Sequence, residues 1–250
     1  MQWGTFSITH IVSLLLSVGF TLGMHFVFRN RSKRTKKIFL VALSVPGLIF
    51  IVWNMLQWGT PLEYLPLHMC AITLILLPVT VIKENSVLGN LLLLFGLGAV
   101  LALVVNTAQG EYELWSIAFI TYYFPHTFEF AACILLFTLG ITKFKLKYIL
   151  TTVGLTFGIF TVVHFINLGL NAYCAANELI NPSGELIQVN YMYSIRPENP
   201  VLDLFWSWLP HEYWYMYFAL PIILVYEGIL YLIFNGKSLC NRFFKGAKNE

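Results

Sequence analysis

Arg29-Asn30-Arg31-Ser32-Lys33-Arg34-Thr35-Lys36-Lys37 carries six basic side chains in nine residues and no acidic one. It joins two apolar runs of membrane length, roughly Phe6 to Phe28 and Ile38 to Gln57. A hairpin of two such runs cannot carry six cations across a bilayer without opposing the positive-inside rule, so this stretch belongs on the cytoplasmic side. Working outward, further apolar runs are expected at roughly Tyr64 to Ile82, Val87 to Thr107, Trp115 to Ile141, Tyr148 to Asn171 and Tyr213 to Phe234. The connections that alternate with the first basic loop hold Lys83, then Lys143, Lys145 and Lys147, then the tail residues Lys237, Arg242, Lys245 and Lys248. The intervening connections hold Glu63, then Glu111 and Glu113, then Glu178, Glu185, Glu198, Asp203 and Glu212, with Arg196 the single basic exception. Charge therefore predicts an all-α polytopic membrane protein with seven transmembrane helices, its N-terminus outside and its C-terminus cytoplasmic. Residues 1–250 read as a single transmembrane domain with one long outer loop at about 172–212.

Composition agrees. A chain that is 58% hydrophobic and 11% charged cannot cover itself with polar surface and remain soluble. The formal charge of +3 needs no nucleic acid, because juxtamembrane cations are attracted to anionic inner-leaflet lipid; membrane phospholipid is the expected partner. Of the four cysteines, Cys70, Cys133, Cys174 and Cys240, only Cys174 is expected to face an oxidising compartment, which predicts no disulfide. Met1-Gln2-Trp3-Gly4-Thr5 lacks a basic n-region, so the first helix is expected to be retained. Phe205-Trp206-Ser207-Trp208-Leu209-Pro210-His211-Glu212-Tyr213-Trp214-Tyr215 is dense in rings; an interfacial anchor is the plain reading, a lid over an outer-leaflet site the functional one.

Ionisable residues at membrane depth are costly and mark candidate sites. His68, His126, His164, Glu129 and Glu227 lie within the runs. At 1.5 Å per residue, His68 and His164 fall about 5 to 10 Å below the outer surface and His126 about 15 Å. His126 and Glu129 are three apart, as are His164 and Asn167, so each pair projects from one helical face. The expectation is a His-centred polar site in the outer half of the bilayer, with His68, His126, His164 and Glu129 in catalytic roles and Asn167, Asn190, Tyr191 and Arg196 binding substrate. The structural alternative is that each histidine bonds a backbone carbonyl or hydroxyl of a neighbouring helix. Cys70 follows His68 by two residues, which in one helix is a different face, so Cys70 reads as a small apolar filler. Neither a His-x-x-x-His nor a paired-cysteine spacing occurs, and no metal or other cofactor is expected.

At Leu65-Pro66-Leu67-His68-Met69-Cys70, and again at Asn190-Tyr191-Met192-Tyr193 with Pro197 beyond it, the chain resembles YwaF-type bacterial integral membrane proteins. These are grouped with the eukaryotic transmembrane protein 164 family. The resemblance implies a multi-pass protein of the bacterial plasma membrane and, through the eukaryotic branch, a phospholipid acyltransferase with a cysteine-based centre. The eukaryotic motif places cysteine directly before the histidine, where this chain has Leu67, so the resemblance carries over His68 and not a nucleophile. The segment from Cys174 to Leu186 is also longer than the pattern. The functional expectation is a membrane-embedded lipid-modifying enzyme, an acyltransferase or transacylase. The alternative is a proton-linked transporter or ligand-binding membrane protein that uses Glu129 and Glu227 without covalent chemistry.

Overall fold

The computed structural model describes residues 2–57, 61–105 and 112–246. Eight helices follow one another: α1 (Ile8–Phe28), α2 (Lys33–Gln57), α3 (Met69–Lys83), α4 (Ser86–Val105), α5 (Ile117–Thr138), α6 (Ile149–Ala176), α7 (Pro200–Trp208) and α8 (Ala219–Gly246). Among the described residues, six helices are long and apolar enough to cross a membrane, and α3 is a shorter apolar helix. The fold is therefore that of an all-α polytopic membrane protein. The expected end of the fourth run at Thr107, the acidic Glu111 and the basic Lys248 lie outside the described residues.

Several boundaries move for local reasons. Ser32 accepts a bond from the Thr35 amide and caps α2, so the helix opens at Lys33, inside the basic stretch. α3 opens at Met69 rather than Tyr64, because Pro66 has no amide to donate and His68 is extended (φ −76, ψ 155). α5 stops at Thr138 rather than Ile141, where Gly140 takes a left-handed φ of 76°. α6 runs on to Ala176, which shortens the outer connection from its N-terminal side. That connection contains α7, capped by Asn199 and started by Pro200.

Polar contacts align the basic ends on one face. Glu84, the C-cap of α3, pairs with Lys33 and Lys37 in the first turns of α2 at 2.6 and 2.7 Å, so these helices run antiparallel and α3 returns across the bundle. Lys36 reaches the Leu139 carbonyl just after α5 at 3.2 Å, and Asn235 of α8 reaches the Phe144 carbonyl at 3.4 Å. In the interior, α4 and α5 approach closely. A Cβ on Gly96 would lie 3.0 Å from the Cys133 sulfur, and one on Gly89 would lie 2.9 Å from Thr142. On the opposite face the segment before α1 folds inward. Trp3, fully buried, donates to Ser13; Ser17 bonds Tyr123 and Thr127 of α5; His10 accepts from the Phe6 amide and donates to the Leu103 carbonyl at 2.6 Å.

Candidate active site

The extended conformation at His68 changes what lies beside what. Since α3 begins only at Met69, His68 and Cys70 are not two positions of one helix, and the face argument drawn from their spacing does not hold. Cys70, in the first turn of α3, turns toward α5. Its sulfur, a ring nitrogen of His126 and a carboxylate oxygen of Glu129 all lie within 4.8 Å of one another. The pairing of His126 with Glu129 follows from their separation of three residues on α5; the third member comes from another helix.

His126 is held in one tautomer. Its Nδ1 lies 2.7 Å from the Tyr122 carbonyl oxygen, which can only accept, so Nδ1 carries the proton and the Nε2 lone pair is left free. The Tyr122 ring lies against the imidazole at 4.5 Å, and its hydroxyl donates to the Ala102 carbonyl. Glu129 is 1% exposed, and neither of its carboxylate oxygens has a hydrogen-bond partner among the described residues. The neighbouring Thr73 gives its own hydroxyl proton to the Met69 carbonyl at 2.9 Å. A cysteine, a histidine with its lone pair held available and an adjacent carboxyl group are the residue types that acyl-transfer enzymes use as nucleophile, base and charge partner. The same S, N and O donors suit Zn²⁺, which would draw them to about 3.3 to 3.6 Å apart in a tetrahedral shell.

A cover from the outer connection lies over α3. Tyr191 donates its hydroxyl to the Leu62 carbonyl and accepts from the Leu65 amide at 2.9 Å, tying the cover to the lead into α3. Burial pushes this phenol up to about 12, so it stays a donor. Met192 and Tyr193 are consecutive non-glycine residues with positive φ, 54° and 57°, a conformation that persists only where surroundings enforce it. The Met192 amide points to His68 Nδ1 at 3.4 Å, and the Tyr191 and Tyr193 rings pack on that imidazole at 5.3 and 5.6 Å. Burial pushes the Tyr193 phenol up to about 12. His68 is also within electrostatic reach of His126.

Two asparagines on α6 hold this cover. Asn167 exchanges both amide bonds with the backbone of Tyr191, at 2.8 and 3.1 Å, and Asn171 does the same with Val189, at 3.0 and 2.7 Å. His164 and Asn167 meet at the Ser194 hydroxyl, 3.0 and 2.9 Å away, and the His164 ring packs on Tyr213 at 5.0 Å. The structure thus gathers His126 and Glu129 with Cys70, puts His68 at the edge of this group, and engages His164, Asn167 and Tyr191 in fastening the cover. Asn190 bonds within the same connection, to the Ile195 and Arg196 amides, the Arg196 carbonyl and Glu198. Arg196 lies 3.8 Å from Glu198 on the exposed side. Cys70, read from its spacing as an apolar filler, joins this group, while Tyr122 and Asn171 escape a reading by sequence. Asn171 left a trace, four residues after Asn167 on the same face.

Comparison with curated proteins and with solved structures finds no match. A family model described as the TMEM164 family matches residues 5–231, nearly the whole described chain, and the protein belongs to that family.

Proposed function

We propose that this protein is a lipid acyltransferase working through a thioester on Cys70, with His126 as general base and acid and Glu129 as the partner of the transient imidazolium. The observation that carries this reading is the convergence of the three groups within 4.8 Å at a depth where an unpaired carboxylate is costly. His126 Nε2 takes the thiol proton as the sulfur attacks the ester carbonyl of a membrane phospholipid. The tetrahedral intermediate collapses, the lysophospholipid oxygen leaves with that proton, and the acyl group stays on sulfur. An acceptor hydroxyl then gives its proton to Nε2 and attacks the thioester, which restores the thiol. The family resemblance to cysteine-centred acyl transfer supports this reading, with Cys70 filling the role that the motif left open. By the charge pattern the group faces the outer half of the membrane, so acyl groups come from membrane lipids rather than from cytosolic carriers.

The test is purified protein in nanodiscs of a phospholipid with an isotopically labelled acyl chain, with a lysophospholipid acceptor added and products read by mass spectrometry. Cys70→Ala should abolish transfer, and His126→Ala should lower it about 100- to 10,000-fold, the usual range for losing a positioned general base. Transfer at the wild-type rate by Cys70→Ala would end the proposal. A proton relay through Glu129 and Glu227 is the second reading, favoured by two buried carboxyl groups without hydrogen-bond partners among the described residues. It requires proton flux in proteoliposomes, lost in Glu227→Gln.

A further inference from the structure

An α-helix leaves the amides of its first turn without an intrahelical acceptor, and a side chain at the N-cap ordinarily accepts from one of them. Ser7 and Ser116 do so for α1 and α5, and Asn199 does so for α7. The N-cap of α3 is His68, whose side chain makes no such bond, and the first amide to find an acceptor is that of Ile72, on the His68 carbonyl. The amides of Met69, Cys70 and Ala71 thus have no acceptor among the described residues. We infer that this open turn is an oxyanion hole, in which the amides of Cys70 and Ala71 hold the negative oxygen formed when the Cys70 sulfur adds to an acyl ester. The inference rests on the acyl-transfer reading given above.

The donors are aimed at the reacting atom. The amides of Cys70 and Ala71 lie within hydrogen-bonding reach of the Cys70 sulfur. In the tetrahedral intermediate the oxygen is one carbon away from that sulfur, so donors that reach the one reach the other. The amide of a nucleophile and that of the residue after it are recurrent oxyanion donors. A second observation does not depend on the helix end. Glu129, 1% exposed, brings a carboxylate oxygen within 4.8 Å of the same sulfur and of a His126 ring nitrogen, yet neither of its oxygens has a partner among the described residues. An acid buried beside free donors and bonded to none of them leaves those donors for another anion. Cys70 is only half-buried, so a substrate carbonyl can reach the turn. The dipole of the fifteen-residue helix adds positive potential there, and a water-poor setting strengthens it. As the sulfur pair forms the S–C bond, the carbonyl π pair moves onto oxygen, where the two amides receive it. As that pair returns, the C–O bond to the lysophospholipid breaks and protonated His126 gives the leaving oxygen its proton.

The experiment replaces Ala71 of the full-length protein by lactic acid through nonsense suppression, which turns one amide into an ester and removes one donor. No hydrogen bond within α3 loses its donor by this change. Transfer should fall about 100- to 1,000-fold in kcat, the usual loss for one such donor, with KM little changed. A palmityl trifluoromethyl ketone, to which the Cys70 thiol adds to form a stable tetrahedral adduct, reads the hole without turnover: its fluorine NMR signal should show the adduct oxygen ionising at a lower pH in wild type than in the ester variant. A pair of ordinary variants repeats the test should the ester variant fold poorly. Both lack the imidazole, but the hydroxyl of His68→Ser caps the open amides, so it should transfer about 5-fold more slowly than His68→Ala, the worth of an N-cap expressed as a rate. An ester variant with wild-type kcat and an unshifted adduct would overturn the inference while leaving the cysteine chemistry intact. So would a His68→Ser protein as fast as His68→Ala. If wild type forms the adduct but transfers no acyl group, the catalytic reading fails and the ionisation of the adduct still decides the hole. If it does neither, the inference falls together with that reading.

Discussion

Asn167→Leu should unfasten the cover while leaving the bundle intact. Asn167 supplies both partners of a backbone unit, accepting from the Tyr191 amide at 3.1 Å and donating to the Tyr191 carbonyl at 2.8 Å, and Tyr191 is 1% exposed. Leucine fills a similar volume but satisfies neither group. At about 1 kcal/mol for each buried group left unpaired, the low end of the usual range, the docked cover loses about 2 kcal/mol. Local opening becomes easier by the corresponding factor, so amide exchange at Tyr191 and its neighbours should accelerate about 30-fold. Hydrogen exchange read by mass spectrometry on peptides covering Ile187 to Ser194 measures this, with α5 peptides as the unchanged reference. Transfer activity should fall as well, because Met192 and Tyr193 no longer hold His68. Unchanged exchange in the Ile187 to Ser194 peptides would refute the claim that the α6 asparagines hold the cover; acceleration throughout the molecule would show that Asn167 supports the bundle instead.

Other consequences follow from particular contacts. Ser32→Cys should resist an impermeant thiol reagent applied to intact cells and Ser183→Cys should react; the opposite pattern inverts the orientation. The Lys33 and Lys37 ammonium groups bonded to Glu84 hold its carboxyl below the ordinary carboxylate range, so their tie between α2 and α3 is present above that range and is lost as pH falls through the lowered value. Carbon-detected NMR of labelled Glu84 should show this low midpoint, and Lys33→Gln with Lys37→Gln should return it to normal. Trp3→Phe removes the donor to Ser13, whose hydroxyl keeps its own bond to the His10 carbonyl, and should lower the thermal midpoint at a cost of about 0.5 to 1.5 kcal/mol for the lost hydrogen bond; an unchanged midpoint argues that the N-terminal segment adds nothing to the bundle. Zn²⁺ should inhibit transfer reversibly by occupying Cys70, His126 and Glu129, with inhibition relieved by chelator and weakened in Glu129→Gln; inhibition of equal strength in that variant places the metal elsewhere.

The membrane fold was legible because it rests on long apolar runs and on where cations lie between them, both local properties. The half of the site on α5 was legible for the same reason, since His126 and Glu129 share a helical face by spacing alone. Cys70 was not, because the spacing rule assumes a continuous helix and α3 starts one residue after His68. Pro66, four residues before Cys70, carries the signal for that start. The pairing of Asn167 and Asn171 with Tyr191 and Val189 depends on a connection folding back over 24 and 18 residues, and no periodicity reports such a contact. Asn199-Pro200 is a helix start in plain view, passed over because it stands just ahead of an aromatic stretch that reads first as an interfacial anchor.

If an acyl group passes through the Cys70 sulfur, intact-protein mass spectrometry after brief incubation with a labelled-acyl phospholipid and no acceptor will catch it there. Wild type should gain the mass of one acyl group, localised to the peptide containing Cys70, removed by neutral hydroxylamine, absent in Cys70→Ala and slow to form in His126→Ala. An acyl adduct that survives hydroxylamine, maps to another residue or persists in Cys70→Ala would contradict it. So would rapid lipid acyl transfer with no adduct at any time point.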